Sequence, residues 1–369
     1  MYDYIVVGAG LAGAVSARVL AEKGFRVLII EQHSHIAGHC HDFKNEDGIT
    51  VSTYGPHIFH TDSKKVWDWV CRFTSFRYYQ HRVLSYADGQ LLPFPINRDT
   101  ITKLFGVDLS ITEVKSFLEE EVKGSRIKTP PENFRDAVIS QVGENLYKTF
   151  FEKYTIKQWE RNPSELSPEL ARRIPVRYNR DNRYFTDKYQ GIPTRGFSGM
   201  VERILDHELI SLQLNTDYFS VKDQLDPKLT IYTGELDRFF DYEFGKLQYR
   251  SLSLEFRTLE LESPFYQSAA VVNYPNDYDW TRITEFKHLT GERSKKTTIC
   301  FEYPLSEGEP YYIVPDKENS GKRVRYMEKV KELEKSGAYL FIGRLAEYTY
   351  YNMDQVIAAV LKKMSSAVQ

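Results

Sequence analysis

The sequence predicts an α/β protein with three parts: a Rossmann-like domain that binds a dinucleotide, a helical insertion, and an antiparallel β-sheet domain. An apolar run, Ile5–Val7, leads into a G-x-G-x-x-G turn and a helical pattern, which is the order of a βαβ nucleotide-binding unit. Residues 97–170 carry helical apolar stripes, whereas residues 249–303 contain segments that alternate with period two.

The glycine-rich turn explains why a dinucleotide is expected. Gly8 lets the chain turn out of the strand, Gly10 lets a pyrophosphate approach the backbone, and Gly13 lets the helix pack close to the strand. The free N–H groups at the helix N-terminus attract phosphate. Glu31 ends the second strand, Arg26–Ile30, about 20 residues after the glycines, where a carboxylate accepts from ribose hydroxyls. An ordinary glycine-rich turn is the alternative, and it would not require this order of elements.

Composition narrows the class of protein. The 369 residues allow two or three domains, and a net charge of −2 gives no electrostatic reason to expect a nucleic acid or a membrane surface as partner. No window resembles a signal peptide and no apolar run reaches the ~18 residues of a membrane span. Cys40, Cys71 and Cys300 are scattered, which fits no metal site and predicts reduced thiols in a cytoplasmic protein.

Two histidine-containing loops follow the second strand. Three of the nine histidines fall between residues 35 and 41, where no paired cysteines support zinc and a polar loop is the plainer interpretation. Gly38 in this loop stands where flavoenzymes with this opening wrap the dinucleotide. In Tyr54–Thr61 a Gly-Pro pair fixes a turn, and His57 and His60 either have structural roles or face a cofactor ring.

The middle of the chain is predicted to be mainly helical after one hairpin. Helical spacing of apolar residues predicts a helix over 63–73, and Asp88-Gly89 predicts a turn between strands 83–86 and 91–94. Further helices are predicted over 99–104, 111–123 and 132–153, the last opened by Pro130-Pro131.

Two segments have the residue types of a ligand site. Residues 150–159 mix aromatic and polar side chains, which suits either core packing or stacking on a base or sugar. Residues 172–185 contain five arginines within twelve residues of an otherwise slightly acidic protein. A solvated basic surface is one interpretation, and an anion site that uses one or two of the guanidinium groups is the other. Interleaved Pro and Asn favour a loop here.

The C-terminal half is predicted to form short strands over 212–231 and an antiparallel sheet from 249–256, 269–274, 281–287 and 297–303. A late strand ends at Gly343-Arg344 and precedes a helix over 354–364, an arrangement that places a second turn against a flavin. Without Pro, Gly or Ser-rich linkers, we expect discontinuous domains. They are an FAD-binding domain (1–96, 195–240 and 335–369), a helical bundle (97–170) and a sheet domain with a mobile substrate loop (171–194 and 241–334).

Several motifs together resemble one known family, that of UDP-galactopyranose mutase, over essentially the whole length. They are Tyr54–Thr61, Tyr154–Trp159, Arg173–Arg177, Asp181–Phe185, Tyr232–Gly234 with Phe239–Tyr242, Glu309–Tyr312 and Gly343–Leu345. The resemblance implies an isomerase with FAD that interconverts the pyranose and furanose forms of UDP-galactose, supplying furanose for cell-surface polysaccharide. It implies that N5 of the reduced flavin forms an adduct with the sugar, so that NAD(P)H is the expected external reductant.

The resemblance also implies roles for individual residues. Arg173, on the mobile loop, and Arg282 would hold the diphosphate, and His60 would lie beside the flavin; these are the predicted catalytic residues. The predicted substrate contacts are Tyr154 on the base, Trp159 near the sugar, and Arg173, Tyr184, Arg282, Tyr312, Tyr350 and Asn352. The choice between Tyr311 and Tyr312 stays open. The predicted cofactor contacts are Gly8, Gly10, Leu11, Ala12, Gly13, Glu31, Gln32, Gly38, His39, His57, Ile58, Gly343, Arg344, Tyr351, Asn352 and Met353.

Three departures from the family pattern leave the exact sugar open. His39 stands where many members have Gly, Asn352 where many have Asp, and Arg195 where small residues are common. The alternative substrates are dTDP-fucopyranose and UDP-N-acetylgalactopyranose. A net flavin oxidoreductase is a less favoured alternative because it needs no diphosphate site, and nothing positive indicates a non-catalytic FAD-binding protein. By analogy with bacterial relatives, a homodimer is possible.

Overall fold

The computed structural model describes residues 2–367, and they divide into two compact units. Unit 1 contains residues 2–79, 187–248 and 321–367, and unit 2 contains residues 80–186 and 249–320. Each unit is therefore assembled from segments that are distant in sequence. Within residues 2–367, no helix combines the length and the apolar composition that a membrane crossing requires.

The described residues form seventeen strands and twelve α-helices. In chain order, β1 to β17 are Tyr4–Val7, Val27–Ile30, Asp42–Lys44, Thr50–Ser52, Phe59–Thr61, Phe76–Tyr78, Val83–Ala87, Gln90–Phe94, Tyr189–Pro193, Ile210–Gln213, Leu229–Tyr232, Tyr249–Glu260, Val271–Asn273, Arg282–Glu285, Lys296–Leu305, Tyr312–Ile313 and Tyr339–Phe341. The helices α1 to α12 are Leu11–Ala21, Lys64–Val70, Arg98–Phe105, Ile111–Val122, Phe134–Tyr147, Lys153–Trp159, Gly196–Leu205, Tyr218–Val221, Leu236–Phe239, Phe286–Thr290, Lys317–Lys335 and Met353–Ala367. Short 3-10 turns cover Gly38–Cys40, Pro163–Glu165, Pro168–Arg173 and Lys222–Gln224, and a π-helical turn covers Lys148–Glu152.

A parallel five-stranded sheet forms the centre of unit 1, in the order β10-β2-β1-β11-β17. All residues of β1 and β2 are buried, which explains why both strands are continuous apolar runs instead of alternating ones. Helix α1 follows β1 directly and packs against α7 and α12. The turn between β1 and α1 therefore lies at the carboxyl end of a central strand, where ligands bind in open α/β sheets.

Two small antiparallel sheets complete unit 1. In one, β9 pairs with both β5 and β6 and places Gln190 opposite His60. In the other, β3 pairs with β4. The main hydrophobic core of this unit joins α1, α7 and α12 to the parallel sheet, with Leu20, Met200 and Ile357 fully buried.

A seven-stranded sheet dominates unit 2, in the order β16-β12-β15-β14-β13-β7-β8. Its neighbours are antiparallel except for β13 and β7, which pair in parallel. The long pair of β12 and β15 runs from Ser251↔Leu305 to Glu260↔Lys296. The sheet carries its own small core of Ile283, Ile299 and Phe301.

Three helices of unit 2, α3, α4 and α5, begin at side-chain caps. Asn97 and Thr100 form a reciprocal capping box for α3, and Ser110 and Glu113 form another for α4. The N-cap of α5 is Asn133, whose side chain accepts a hydrogen bond from Asp136 N. The prediction that Pro130-Pro131 opens this helix is therefore wrong, because both prolines lie before a cap that already satisfies the first turn. The predicted helix over 132–153 is interrupted by the π-helical turn Lys148–Glu152 before α6 begins.

Other boundaries also differ from the sequence prediction. The segment predicted as strands over 212–231 includes the short helix α8, and the strand predicted over 281–287 turns into α10 at Phe286. The hairpin of β7 and β8 belongs to the sheet of unit 2, although residues 80–96 were assigned to the FAD-binding domain. Residues 187–194, 241–248 and 321–334 lie in unit 1 and were assigned to the sheet domain.

Candidate functional site

The glycine turn of unit 1 has the geometry that a phosphate-binding turn needs. Gly8 has a φ of +102°, which disfavours any residue with a Cβ. A Cβ on Gly13 would lie 1.9 Å from the carbonyl oxygen of Gly8, so helix and strand approach as closely as glycine allows. No side chain caps α1, whose first residue is Leu11, so the N–H groups of Leu11, Ala12 and Gly13 are presented to a ligand.

Glu31 is fixed at the end of β2. Its Oε2 accepts from Ala9 N at 2.7 Å and its Oε1 accepts from His33 N at 2.8 Å, and the residue is buried. These bonds orient the carboxylate beside the glycine turn, as ribose recognition requires. The neighbouring Gln32 is exposed, and its Oε1 accepts from Arg238 Nη1 at 3.0 Å.

The loop after β2 lies directly against the glycine turn. Ala37 N donates to Ala9 O at 2.9 Å, and a Cβ on Gly38 would lie 3.1 Å from the Cα of Gly10. In the same loop the sulfur of Cys40 lies 3.5 Å from that of Met353, at the start of α12. Burial raises the pKa of Cys40 to about 12, so this thiol stays protonated at neutral pH.

The late glycine also reaches this place. Gly343 has a φ of +111°, and a Cβ on it would lie 3.0 Å from the Cβ of Ala12. Gly343 N donates to Glu347 Oε2 at 3.1 Å, and Lys363 anchors the same carboxylate through a 2.9 Å ion pair. The guanidinium of Arg344 follows at once and lies 5.1 Å from the ring centre of Tyr350.

Histidine 57 belongs to this cluster. Its Nδ1 lies 2.9 Å from the carbonyl oxygen of Gly55. Burial lowers the pKa of His57 to about 4; the Gly55 carbonyl opposes this shift, and the nearby His39 and Arg344 add to it. His57 is therefore neutral at pH 7. The preceding turn and the buried Ile58 hold it in place.

His60 has a different environment on strand β5. Its Nδ1 lies 3.1 Å from Asp187 Oδ2, and its ring is largely buried. A carboxylate at this distance orients the imidazole. The next residue, Thr61, donates from its hydroxyl to Asp354 Oδ2 at 2.9 Å, which joins β5 to the first turn of α12. Asn352 stands just before that helix, and its backbone N–H donates to Gln355 Oε1 at 2.9 Å.

Three histidines between residues 33 and 41 form a ring stack: His33, His35 and His41. His35 lies 5.4 Å from His33 and 4.1 Å from His41 between ring centres, and its Nε2 lies 2.8 Å from the hydroxyl of Tyr54. In residues 2–367 no three His, Cys, Asp or Glu side chains are arranged to hold a metal ion.

In unit 2, the predicted substrate residues gather around Arg282. Its Nε lies 3.2 Å from Glu302 Oε2 across β14 and β15, and its side chain keeps 24% exposure beside a Glu302 that is only 1% exposed. Burial alone would lower the pKa of Arg282, but Glu302 and the phenols of Tyr154, Tyr312 and Tyr184 raise it well above the usual range. The guanidinium is therefore permanently charged, with aromatic hydroxyl groups nearby.

Helix α6 carries the aromatic side of this site. The ring of Trp159, its last residue, lies 6.3 Å from that of Tyr312 on β16. Arg250 on β12 donates from Nε to Gln158 O at 2.9 Å and pairs through Nη1 with Glu160 at 2.9 Å, so it holds the end of α6 against the sheet. The register places Arg250 opposite Tyr312.

Most arginines of the arginine-rich loop form hydrogen bonds or ion pairs with other residues of unit 2. Arg177 donates to the carbonyl oxygens of Asp181, Arg183 and Tyr184, Arg180 pairs with Asp99 and Asp108, and Arg183 pairs with Asp181. The Arg183 guanidinium lowers the pKa of Asp181 to about 2. Arg172 and Arg173 lie exposed at the end of the 3-10 turn Pro168–Arg173.

Comparison with known proteins decides the family. The family model described as UDP-galactopyranose mutase matches residues 149–350, and that of the NAD(P)-binding Rossmann-like domain matches residues 6–73. A probable UDP-galactopyranose mutase of Klebsiella pneumoniae is 38% identical over 98% of this chain and 93% of its own length. The chain belongs to the UDP-galactopyranose mutase family.

Two further mutases are similar to this chain. The dTDP-fucopyranose mutase of Escherichia coli is 36% identical over 98% of this chain and 97% of its own length. The crystal structure of a reduced UDP-galactopyranose mutase superposes with a TM-score of 0.78 at 17% identity, covering 99% of this chain and 95% of that one. The predicted α/β class and the isomerase class are confirmed, and the Rossmann-like domain is of the flavoprotein type.

The mutase fold thus groups the predicted residues by unit. Unit 1 brings together the glycine turn, Glu31, the Gly38 loop, His57 and the Gly343-Arg344 turn, and it also holds His60, Tyr350, Tyr351 and Asn352. Unit 2 brings together Tyr154, Trp159, Tyr184, Arg282 and Tyr312. The individual roles of these residues, and that of Arg173, remain predictions.

Sequence reasoning missed several supporting residues. Glu302 and Arg250 gave no sequence signal because their partners lie 20 to 92 positions away in the chain. Glu347 gave no signal either, although its partner Gly343 lies only four residues before it. Thr233 was noted only in a motif, yet its hydroxyl donates to Val7 O at 2.7 Å and lines the space beside Gly8.

Proposed function

We propose that this mutase interconverts UDP-galactopyranose and UDP-galactofuranose and that it works with reduced FAD. Support comes from family membership, from the dinucleotide-binding geometry of unit 1 and from the cationic, aromatic site of unit 2. We further propose NAD(P)H as the external reductant and cell-surface polysaccharide as the use of the furanose. The same resemblance underlies the proposals of a cytoplasmic protein and a homodimer.

The observation that carries the proposal is the environment of Arg282. Its Nε faces Glu302, and in residues 2–367 no hydrogen bond occupies its two terminal nitrogens. A guanidinium that keeps two donors and 24% exposure is suited to bind a phosphate with both. Three tyrosine hydroxyl groups near the same cation would donate to further phosphate oxygens. An ordinary flavin oxidoreductase has no need for such a site.

The residues of unit 1 fit FAD. Gly10 and Gly38 approach each other closely and have no side chains, so backbone borders the N-terminus of α1 on both sides. The fixed Glu31 carboxylate would accept a hydrogen bond from the ribose. When bound and reduced, FAD supplies a nucleophilic nitrogen for the anomeric carbon of the sugar. Neutral His57, with Arg344 beside it, and His60, oriented by Asp187, would contact the ring system of the cofactor.

In unit 2, Arg282 and Arg173 would bind the diphosphate while it leaves the anomeric carbon and hold it until it returns. Tyr154 would stack on the base and Trp159 would contact the sugar. Holding both leaving group and sugar keeps the exchange intramolecular, since a released diphosphate would be lost to solvent. The hydroxyls of Tyr184 and Tyr312 are proposed to donate to phosphate oxygens. The phosphate contact of Tyr350, which belongs to unit 1, stays a prediction of the family resemblance.

A second candidate is dTDP-fucopyranose as substrate. It is favoured by the dTDP-fucopyranose mutase among the relatives, whose likeness to this chain is nearly that of the Klebsiella protein. The two substrates differ at sugar C6, at the 2′-hydroxyl of the ribose, and in a methyl group on the base. A methyl in an apolar site is worth about 1 kcal/mol of binding. UDP-N-acetylgalactopyranose is the third substrate to include in an assay.

The test is a furanose-to-pyranose assay with dithionite-reduced and with oxidised protein. We expect reduced protein to convert UDP-galactofuranose faster than dTDP-fucofuranose or UDP-N-acetylgalactofuranose, and oxidised protein to be inactive. No net reductant should be consumed per turnover. Equal activity in both redox states would refute the role of reduced FAD, and a preference for dTDP-fucofuranose would replace the proposed substrate with the second candidate.

A further inference from the structure

Lys157 lies in the middle of α6 and ends in an unusual hydrogen-bonding arrangement. Its ammonium donates to three backbone carbonyl oxygens of a single loop, those of Tyr274, Tyr278 at 3.2 Å and Trp280 at 3.1 Å. An ammonium has three N–H donors, and here each has its own acceptor. The side chain is half-buried, and its bonds to Tyr274 and Trp280 are partly buried, whereas its bond to Tyr278 is exposed.

The two parts that Lys157 joins both lead to proposed substrate contacts. On the helix, Tyr154 lies three residues before it and Trp159 two residues after it. On the other side, the loop between β13 and β14 ends at Arg282, the first residue of β14. Within the loop, Tyr274 N donates to Thr281 O and Tyr278 stacks on Trp280 at 4.6 Å. Asn276 Nδ2 donates to Thr149 O at 2.9 Å, but Thr149 lies in the π-helical turn before α6, so Lys157 is the link to α6 itself.

We propose that Lys157 is a positioning residue for the nucleotide diphosphate. It fixes the spacing between the helix that carries Tyr154 and Trp159 and the loop that leads into Arg282. The inference rests on the proposed function, because it requires that the base and the diphosphate of one ligand bind to these two parts. A ligand that spans both gains affinity from their fixed spacing, because little ordering is then required on binding.

The charges around Lys157 agree with this role. Burial lowers the pKa of Lys157 to about 8 and Lys153 adds slightly to this, whereas Asp277 and Asp279 on the loop raise it. The side chain is therefore still mainly an ammonium at pH 7 and donates all three protons. A neutral amine would present a lone pair to one of the three carbonyl oxygens.

The experiment compares a ligand that spans both parts with one that touches only the helix. UDP binding to the oxidised, FAD-loaded protein is measured by calorimetry, and uridine binding by displacement of UDP. In Lys157→Met we expect the Kd of UDP to rise about tenfold. The Kd of uridine, obtained from the displacement of UDP, should change less than about twofold. Lys157→Arg, which keeps donors and charge, should recover most of the UDP affinity.

Lys153→Met is the matched control, because it makes the same substitution on an exposed residue four positions earlier on α6. It should leave both affinities unchanged. An equal loss of UDP and uridine affinity in Lys157→Met, or no loss of either, would overturn the inference. If Lys157→Met does not give folded protein, Lys157→Gln is judged by the same two affinities. Failure of the unaltered protein to bind UDP at all would instead refute the proposed function.

Discussion

At the residue scale, Gly10 and Gly13 of the β1–α1 turn are required for different reasons. A Cβ on Gly13 would collide with the carbonyl oxygen of Gly8 at 1.9 Å, so this glycine is required by the fold. A Cβ on Gly10 would find only the Cα of Gly38, at an ordinary 3.8 Å, and the φ of Gly10 is −69°. The protein itself therefore tolerates a side chain at residue 10, and what excludes it is the pyrophosphate that we expect there.

This difference gives a prediction for alanine substitutions in the apoprotein and in the FAD-loaded protein. Gly10→Ala should unfold at the unaltered temperature as apoprotein but lose most bound FAD. Gly13→Ala should lower the free energy of unfolding by about 1–3 kcal/mol, because the added carbon forces helix and strand apart. Thermal unfolding and flavin absorbance measure the two effects.

Gly321→Ala is the control for that pair, since an added Cβ there meets no atom within 4 Å and the residue lies within α11. It should retain both stability and flavin. Full flavin loading of Gly10→Ala would mean that the pyrophosphate does not approach this backbone.

At the element scale, the sequence predicts the features that depend only on residues close together in the chain. The turn residues Asp88 and Gly89 both have positive φ, as a two-residue hairpin requires, and the strands on either side pair as predicted. The predicted start of α5 at the proline pair is wrong because Asn133, a good capping residue, is the N-cap of the helix. The parallel pairing of β13 with β7 could not be predicted, since it joins residues about 190 positions apart.

The arginine-rich loop shows the same limit. Five arginines in one segment indicate an anion site, but composition alone does not show which of them bind other groups of the protein. Arg177, Arg180 and Arg183 are engaged with carbonyl oxygens or carboxylates of unit 2, so they hold the loop in shape. Arg173, which is exposed at the start of the loop, is the arginine for which the family resemblance predicts a role in binding diphosphate.

We therefore predict that Arg173→Ala lowers turnover by about thirtyfold or more, because losing one of two guanidinium groups on a desolvated diphosphate costs about 2–5 kcal/mol. Arg172→Ala is the matched control, one residue earlier and also exposed, and should keep turnover within about threefold. Steady-state kinetics of the dithionite-reduced protein distinguishes them. Normal turnover in Arg173→Ala, or a larger loss in Arg172→Ala, would assign the role to a different arginine.

At the scale of the whole molecule, unit 1 and unit 2 are each assembled from separate stretches of chain, so residues of one site are far apart in sequence. In unit 1 the cluster at the glycine turn draws on positions 8–13, 31–40, 57 and 343–353. The sequence order predicted that these segments meet, because strand, turn and helix recur in a known pattern. It could not predict the buried environment of the histidines among them, which depends on the packed tertiary structure.

That environment has a consequence for the pH dependence of stability. Burial lowers the pKa of His41, with His35 adding to the effect, and burial likewise lowers that of His57, each to about 4. In the unfolded chain both titrate near the ordinary value of about 6.5. Between these values the unfolded chain binds protons that the folded protein does not, so the free energy of unfolding rises with pH there. The stabilising contribution is complete above pH 6.5 and is lost as the pH falls to about 4.

We predict that His41→Gln reduces the fall in the free energy of unfolding between pH 6.5 and 4 by about 2–3 kcal/mol relative to the unaltered protein. Denaturant unfolding of the apoprotein at several pH values measures it. Thr53→Val is the matched control: it removes the hydroxyl that lies 2.6 Å from His41 Nδ1 but keeps the imidazole. It should lower stability at every pH without changing the pH dependence. If His41→Gln keeps the full acid sensitivity, the imidazole of His41 must already be protonated in the folded protein at pH 6, and burial is not what controls it.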